Sequence, residues 1–139
     1  MKSYLLDTHI FVNAYMKPER NGAIVRKIID SNNPKYISAI TLIEIALLLE
    51  SKPKEIKIKV PLSTFISQAL NDLQVQVLAI TPEHAQRFYE IQLIKDHEDQ
   101  YDRTIIAQGA STGFTVVSDD GNFPFYPIEL ISNHIIRNK

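Results

Sequence analysis

The sequence contains no cysteine, which excludes disulfides, zinc thiolates and thiol catalysis together. It has no apolar run approaching the roughly 20 residues that a membrane span requires. The opening stretch "MKSYLLDTHIFV" makes no convincing signal peptide: its apolar part is short, Asp7 interrupts it, and no small-residue cleavage site follows. A cytoplasmic protein without membrane attachment fits these absences. Charge of either sign is not in excess, for the net charge is −1. No global basic field therefore draws in nucleic acid by counterion release. A polyanionic substrate would need a local basic patch or bound metal ions. The four glycines are scattered, so no glycine-rich loop cradles phosphate, and Ser, Thr and His form no nucleophile elbow. His9, His84, His97 and His134 show no paired spacing for metal ligation. His84 and His134 read as surface residues, and His97 as a neighbour of Asp99 and Asp102.

The 139 residues are the size of one ordinary domain, residues 1–139, with a polar tail from about 133. With 45 % apolar and 22 % charged residues the chain reads as globular rather than disordered. "SYLLD" is a short apolar run ending in an acid, the pattern of a buried parallel strand. "THIFVNAYM" predicts a helix that Pro18 breaks, and Ile24, Val25, Ile28 and Ile29 predict a second one. "KYIS" is strand-like, and Ser38 or Thr41 caps the helix after it. "KPKEIKIKV" alternates charge and apolarity, which predicts an exposed excursion or short hairpin arm, a solvated edge in preference to a basic strip facing nucleic acid. "PLSTFISQALNDL" is helical and "VQVLAI" strand-like. Thr81 and Pro82 form a clear helix start, and "YDRTIIAQGAS" is a helix closed by Gly113. "FTVVS" and "YPIELIS" complete the strands. Alternating strands and helices predict an α/β fold with a mainly parallel sheet.

Sites in such sheets form beyond the carboxyl ends of the strands. Asp7 closes the first strand, and Asp119 and Asp120 follow "FTVVS". Asp102 heads a helical row with Ile105, Ile106, Gly109 and Ala110, so it ends a core-facing stripe. Glu44 is the one polar residue in positions 42–49 and shares a face with Ile40, Leu47 and Leu48. Each acid alone also fits a plain role. Asp7 suits a cap, Asp119 and Asp120 an ordinary turn before Gly121, and Asp102 a complement to a helix dipole. Together they predict a convergence of carboxylates, which repel one another unless a cation joins them. Mg²⁺ or Mn²⁺ prefers such hard oxygen donors, and metal-assisted phosphodiester hydrolysis is the chemistry that suits the set.

The stretches "YLLDTHIFVNAY", "YISAITLIEIALLL", "VLAITPEHAQRF", "HEDQYDRTIIAQG" and "TVVSDDGNF" resemble the PIN-domain ribonuclease family. They are most similar to its VapC branch, the toxins of type II toxin–antitoxin pairs. The resemblance implies a three-layer α/β/α fold and metal-dependent endonuclease activity on RNA, with Mg²⁺ as cofactor and Mn²⁺ as substitute. It implies that Asp7, Glu44, Asp102 and Asp120 are the metal ligands and catalytic residues, with Asp120 rather than Asp119 matching the family position. Thr8 and Ser118 match small hydroxyl positions that orient a carboxylate or water, and Asp99 matches a further acid of the branch. Arg103 either holds an acid, contacts RNA or serves structure. A cognate antitoxin and a homodimer are the partners implied. The chain departs from the branch at Glu98 and Gln100, where Arg and Pro are frequent, at Asn13, where an apolar residue is usual, and at Gly109, where Ala is usual. A catalytically weak binding module on the same fold is the alternative. A phosphatase with Asp7 as nucleophile is less favoured, since no lysine follows the late strand.

Overall fold

The computed structural model describes residues 1–54, 56–91, 99–133 and 136–137. His97, Glu98 and His134 lie outside the described residues. The chain begins with strand β1 (Tyr4–Leu6) and turns at once into helix α1 (Thr8–Met16). One residue makes that turn possible. Asp7 stays extended and its Oδ1 accepts the amide of Thr8 at 2.8 Å, so it caps the new helix. Pro18 then starts a single 3₁₀ turn (Pro18–Arg20), and α2 (Ala23–Asp30) follows. Strand β2 (Lys35–Ser38) feeds α3 (Ala39–Ser51), with Ser38 Oγ accepting the amide of Ile40 at 3.1 Å. Ser38 rather than Thr41 is therefore the cap. Next come α4 (Leu62–Leu73), β3 (Val75–Leu78), α5 (Pro82–Glu90), α6 (Gln100–Thr112), β4 (Thr115–Val117) and β5 (Leu130–Ile131). A final pair, β6 (Ile136–Arg137), lies antiparallel to β5, so the stretch read as a polar tail supplies an edge strand.

The strand order is β3-β2-β1-β4-β5-β6, and the first five strands are parallel. Period-two alternation splits each central strand between two cores. Leu6, Ile37 and Val117 share a register and pack against Phe11, Ile28, Ile45 and Phe65 of α1 to α4. Leu5, Val116 and Leu130 point the other way, onto Ile105 and Ile106 of α6. The expected three-layer α/β/α architecture is thus present. Gly109 sets the distance of one layer. A Cβ there would approach Val116 Cγ2 to 2.5 Å, so α6 lies closer to β4 than alanine allows.

Two expectations fail, and the reasons are physical. Among the described residues of 52–60 there is no strand. Ile56 is buried in the core of α1 to α4 and Ile58 packs partly against it, while Lys52, Lys54, Lys57 and Lys59 stay outside. The alternation serves to anchor a segment, not to pair it. The last parallel strand is also shorter than "YPIELIS" predicts. Pro124 and Pro127 have no amide to donate to a ladder. A 3₁₀ turn (Phe123–Phe125) precedes this stretch, and Phe123, Tyr126 and Ile128 fill the core beside α6.

Candidate functional site

Strand β1 has its two sheet neighbours on opposite sides, with β2 and β3 following one way and β4 and β5 the other. The reversal opens a crevice beyond the carboxyl ends of β1 and β4, the place where ligands bind in sheets of this kind. A cavity of about 290 Å³ occupies it. Asp7, Glu44, Asp99, Asp102, Asp119 and Asp120 line it, together with His9, Ile10 and Asn13. Residues far apart in sequence, at the ends of two strands and on α3 and α6, thus share one opening.

Hydroxyls hold the acids in place. Ser118 Oγ donates to Asp7 Oδ2 at 2.7 Å and accepts the amide of Asp120 at 3.1 Å, so a buried serine ties the two strand ends together. Thr8 Oγ1 donates to Glu44 Oε1 at 2.6 Å. Its one proton spent, it accepts from Thr41 Oγ1 at 3.0 Å. Thr41 is a supporting residue that the sequence reading missed; the available signal was its place one helical turn before Glu44. Asp120 Oδ1 accepts the amide of Asn122 at 2.8 Å.

The cluster is electrostatically loaded. Burial pushes the Asp7 carboxyl up to about 6, against the hydrogen bonds from Ser118 and Thr8. The Asp102 carboxyl is pushed up to about 9, first by burial and then by the negative charges of Asp7, Asp99, Asp120 and Glu44. Burial also raises Glu44, opposed by the Thr8 hydroxyl and reinforced by Asp99. His9 pulls both Asp7 and Glu44 back toward the charged form, a role its sequence spacing did not reveal. Among the described residues no three acid or histidine side chains close into a ready cage for a metal ion. The acids face one another across the cleft, each tethered to its own element, rather than meeting at a point.

Other candidates have structural roles. Asp99 caps α6 by accepting the amides of Tyr101 at 2.9 Å and Asp102 at 3.0 Å, and it lines the cleft as well. Arg103 does not line the cleft; its guanidinium lies 4.2 Å from the centre of the Phe88 ring and joins α6 to α5. Asp119 accepts from the amide of Asn133 at 2.7 Å and from its side-chain amide, and Asn133 Oδ1 in turn accepts from Gly22 at 2.6 Å. His84 is buried rather than on the surface. It forms a reciprocal cap with Thr81, and its Nδ1 lies 3.3 Å from Gln108 Nε2. A larger cavity of about 500 Å³ lies at the other end of the strands, beside Lys35, Asp72 and Gln74, without such crowding of acids.

Residues 4–127 match the PIN domain family. The chain belongs to that family. Curated proteins yield no match to this sequence. Among solved structures, the PIN chain is similar to one in VapBC2 from Rickettsia felis bound to a promoter DNA fragment, at 20 % identity and a TM-score of 0.69, covering 94 % of this chain and 98 % of that one. It is similar to one in FitAcB from Neisseria gonorrhoeae, at 22 % identity and 0.63, with the same coverage. A third, in VapBC-5 from Mycobacterium tuberculosis, shares 13 % identity at 0.56, covering 95 % and 98 %. Identities this low establish the fold. Nuclease activity is the general chemistry of PIN domains. Among the described residues no helix is long and apolar enough to cross a membrane.

Proposed function

We propose that this PIN domain, residues 1–139, is a metal-dependent endoribonuclease and the toxin of a toxin–antitoxin pair. One observation carries the reading: Asp7, Glu44, Asp102 and Asp120 line a single cleft at the sheet's switch point. The donor set fits a divalent ion, because it is all hard oxygen and its acids raise one another's proton affinity across the cleft. Asp7, Glu44, Asp102 and Asp120 would hold Mg²⁺, or Mn²⁺ in its place. When bound, the ion supplies positive charge that draws in a phosphodiester and acidifies water. The chain's own residues do the positioning. Thr8 and Ser118 fix the planes of Glu44 and Asp7 while leaving lone pairs on each oxygen. Asp99 and Asp102 at the start of α6 form the opposite wall. In-line attack of water on the phosphorus breaks the P–O3′ bond; the water loses a proton to solvent and the departing O3′ takes one up, leaving a 5′-phosphate and a 3′-hydroxyl.

The absence of a closed cage among the described residues favours the rival reading, a weakly catalytic binding module. Incubation of the purified protein with RNA in Mg²⁺, Mn²⁺ or EDTA separates the two. The expected outcome is metal-dependent cleavage to 5′-phosphate ends, lost in Asp7→Asn. Cleavage that survives EDTA or the substitution overturns the metal-site account.

VapBC-5 is a member of the VapBC family of toxin–antitoxin systems, VapBC2 shares that family name, and the chains of both are spanned almost whole. An antitoxin protein in the same cytoplasm is therefore the proposed partner. A homodimer is proposed as well, since Ile43 and Leu47, one turn apart on α3, are 57 % and 42 % exposed. Leu47→Asp should shift a dimer toward monomer in sedimentation. An unchanged mass removes α3 from the dimer interface.

A further inference from the structure

A second cavity, of about 300 Å³, adjoins the acidic cleft and shares His9 and Asn13 with it as a common wall. Its chemistry is the reverse. Lys17 at the end of α1, Arg20 in the 3₁₀ turn and Lys54 in the segment after α3 stand around it, all exposed. The three cations come from three separate segments, and among the described residues none forms an ion pair with a carboxylate. The floor is apolar, made by Val12, Leu48 and Ile56. Burial of Ile56 in the core is what holds the segment down and brings Lys54 to the rim. Three cations with no ion pair among the described residues, around an apolar floor, match a ligand with both phosphates and a flat ring. The volume falls at the lower end of small-ligand cavities, about 300–1,000 Å³.

We propose that this cavity is a nucleotide subsite for the RNA strand. It seats one nucleotide beside the one whose phosphate lies over the acids, with Lys17, Arg20 and Lys54 on its phosphates and Val12, Leu48 and Ile56 beneath its base. The proposal rests on the ribonuclease reading for the identity of the strand. It also answers a difficulty that the net charge of −1 raises. A strand repelled by the acids is anchored next to them by a local basic site, so the chain needs no basic field overall.

The test measures binding and cleavage separately. Binding of a short labelled single-stranded RNA is followed by fluorescence anisotropy across a salt series. The proteins compared are Asp7→Asn, the same variant with Lys17→Ala, Arg20→Ala and Lys54→Ala, and a control with Lys2→Ala, Lys27→Ala and Arg87→Ala, which loses equal charge outside the cavity. The cavity variant should weaken Kd by about tenfold or more at low salt. It should also reduce the slope of log Kd against log salt by about 2, at roughly 0.7 per lost phosphate contact. Thermal melting should show both sets folded. Equal loss in the control and the cavity variant overturns the subsite, as does an unchanged Kd. So does a cavity variant that keeps its grip on RNA but loses a polyglutamate peptide, which would make the surface a site for acidic protein. With Asp7 restored, metal-dependent cleavage should show a raised KM and a kcat within about twofold. If the restored protein never cleaves yet the cavity variant loses RNA, the ribonuclease reading fails and the subsite stands.

Discussion

The two ends of the sheet bury charge in opposite ways. At the amino end, Lys35 is 3 % exposed, and its Nζ donates to the carbonyl oxygens of Ser31 at 2.7 Å and Asn33 at 3.4 Å, with Asp30 as the nearby opposite charge. At the carboxyl end, Asp7 and Asp102 are about as deeply buried, yet the charges around them are mainly of their own sign. The fold satisfies the lysine from within, whereas it sets Asp102 across a cleft from Asp7, Asp99, Asp120 and Glu44. A buried charge supplied with its own partners reads as structure. A buried charge crowded by its likes reads as a site awaiting something from outside.

The largest break in that contrast comes from exchanging one residue at each end. Asp7→Asn should lower RNA cleavage by more than the roughly 100-fold that loss of an outer-shell partner costs, while leaving the metal-free protein at least as stable. Lys35→Met should do the reverse. It strands two carbonyl acceptors and should lower stability by about 1–3 kcal/mol in urea unfolding, with kcat unchanged. A loss of activity in Lys35→Met at full folding would erase the functional difference between the two ends.

A smaller effect is expected one step out from the acids. Ser118→Ala and Thr8→Val remove the hydroxyls that orient Asp7 and Glu44, and each should cost about 10–100-fold in kcat or in metal affinity. Glu44→Gln against Glu50→Gln sharpens the point on a single helix. Glu50 is exposed and outside the cleft, so its substitution should leave cleavage within about twofold of the parent. Equal losses at both positions would remove Glu44 from the metal site.

Much of this contrast was legible in the sequence. The place of Asp7 at one strand end, of Asp119 and Asp120 after another, and the apolar stripe behind Asp102 follow from the sequence pattern, while the choice of Asp120 over Asp119 came from the family resemblance. Glu44 stood out because nothing around it was polar. The supports were not legible. Thr41 looked like a candidate cap, and only the packing of α3 against α1 shows it donating to Thr8. His84 looked like a surface histidine because Gln108, its partner on α6, reaches it only when α5 folds onto α6. Ile56 and Ile58 carried a strand-like alternation, and period two cannot tell pairing from one-sided burial. Gly109 looked like a minor departure from alanine, and the approach of Val116 gives it a steric reason. Lys35 left no trace at all, since a lysine beginning a strand is ordinarily exposed.

The contrast also reaches the pH dependence of the metal-free protein. The carboxyl groups of Asp7 and Asp102 are held up to about 6 and about 9 in the fold, above the ordinary value of 3.8. Between these limits the folded state binds more protons than the unfolded chain, so stability falls as pH rises. The fall begins near the ordinary value, and Asp102 carries it on toward 9. Lys35 has the opposite sign. Burial lowers its affinity for the proton, so its penalty is relieved only as pH approaches the ordinary lysine range. In EDTA the melting temperature should therefore decline between pH 4 and pH 9. Asp102→Asn should flatten the part above pH 6 and lessen the slope below it, where the share of Asp7 remains. Mn²⁺ should raise the wild-type curve most at its alkaline end, where the acids are charged, and should raise Asp102→Asn less. A wild-type curve in EDTA that is flat from pH 6 to 9 would mean that the acids of the cleft do not repel one another, and that the two ends of the sheet bury their charges alike.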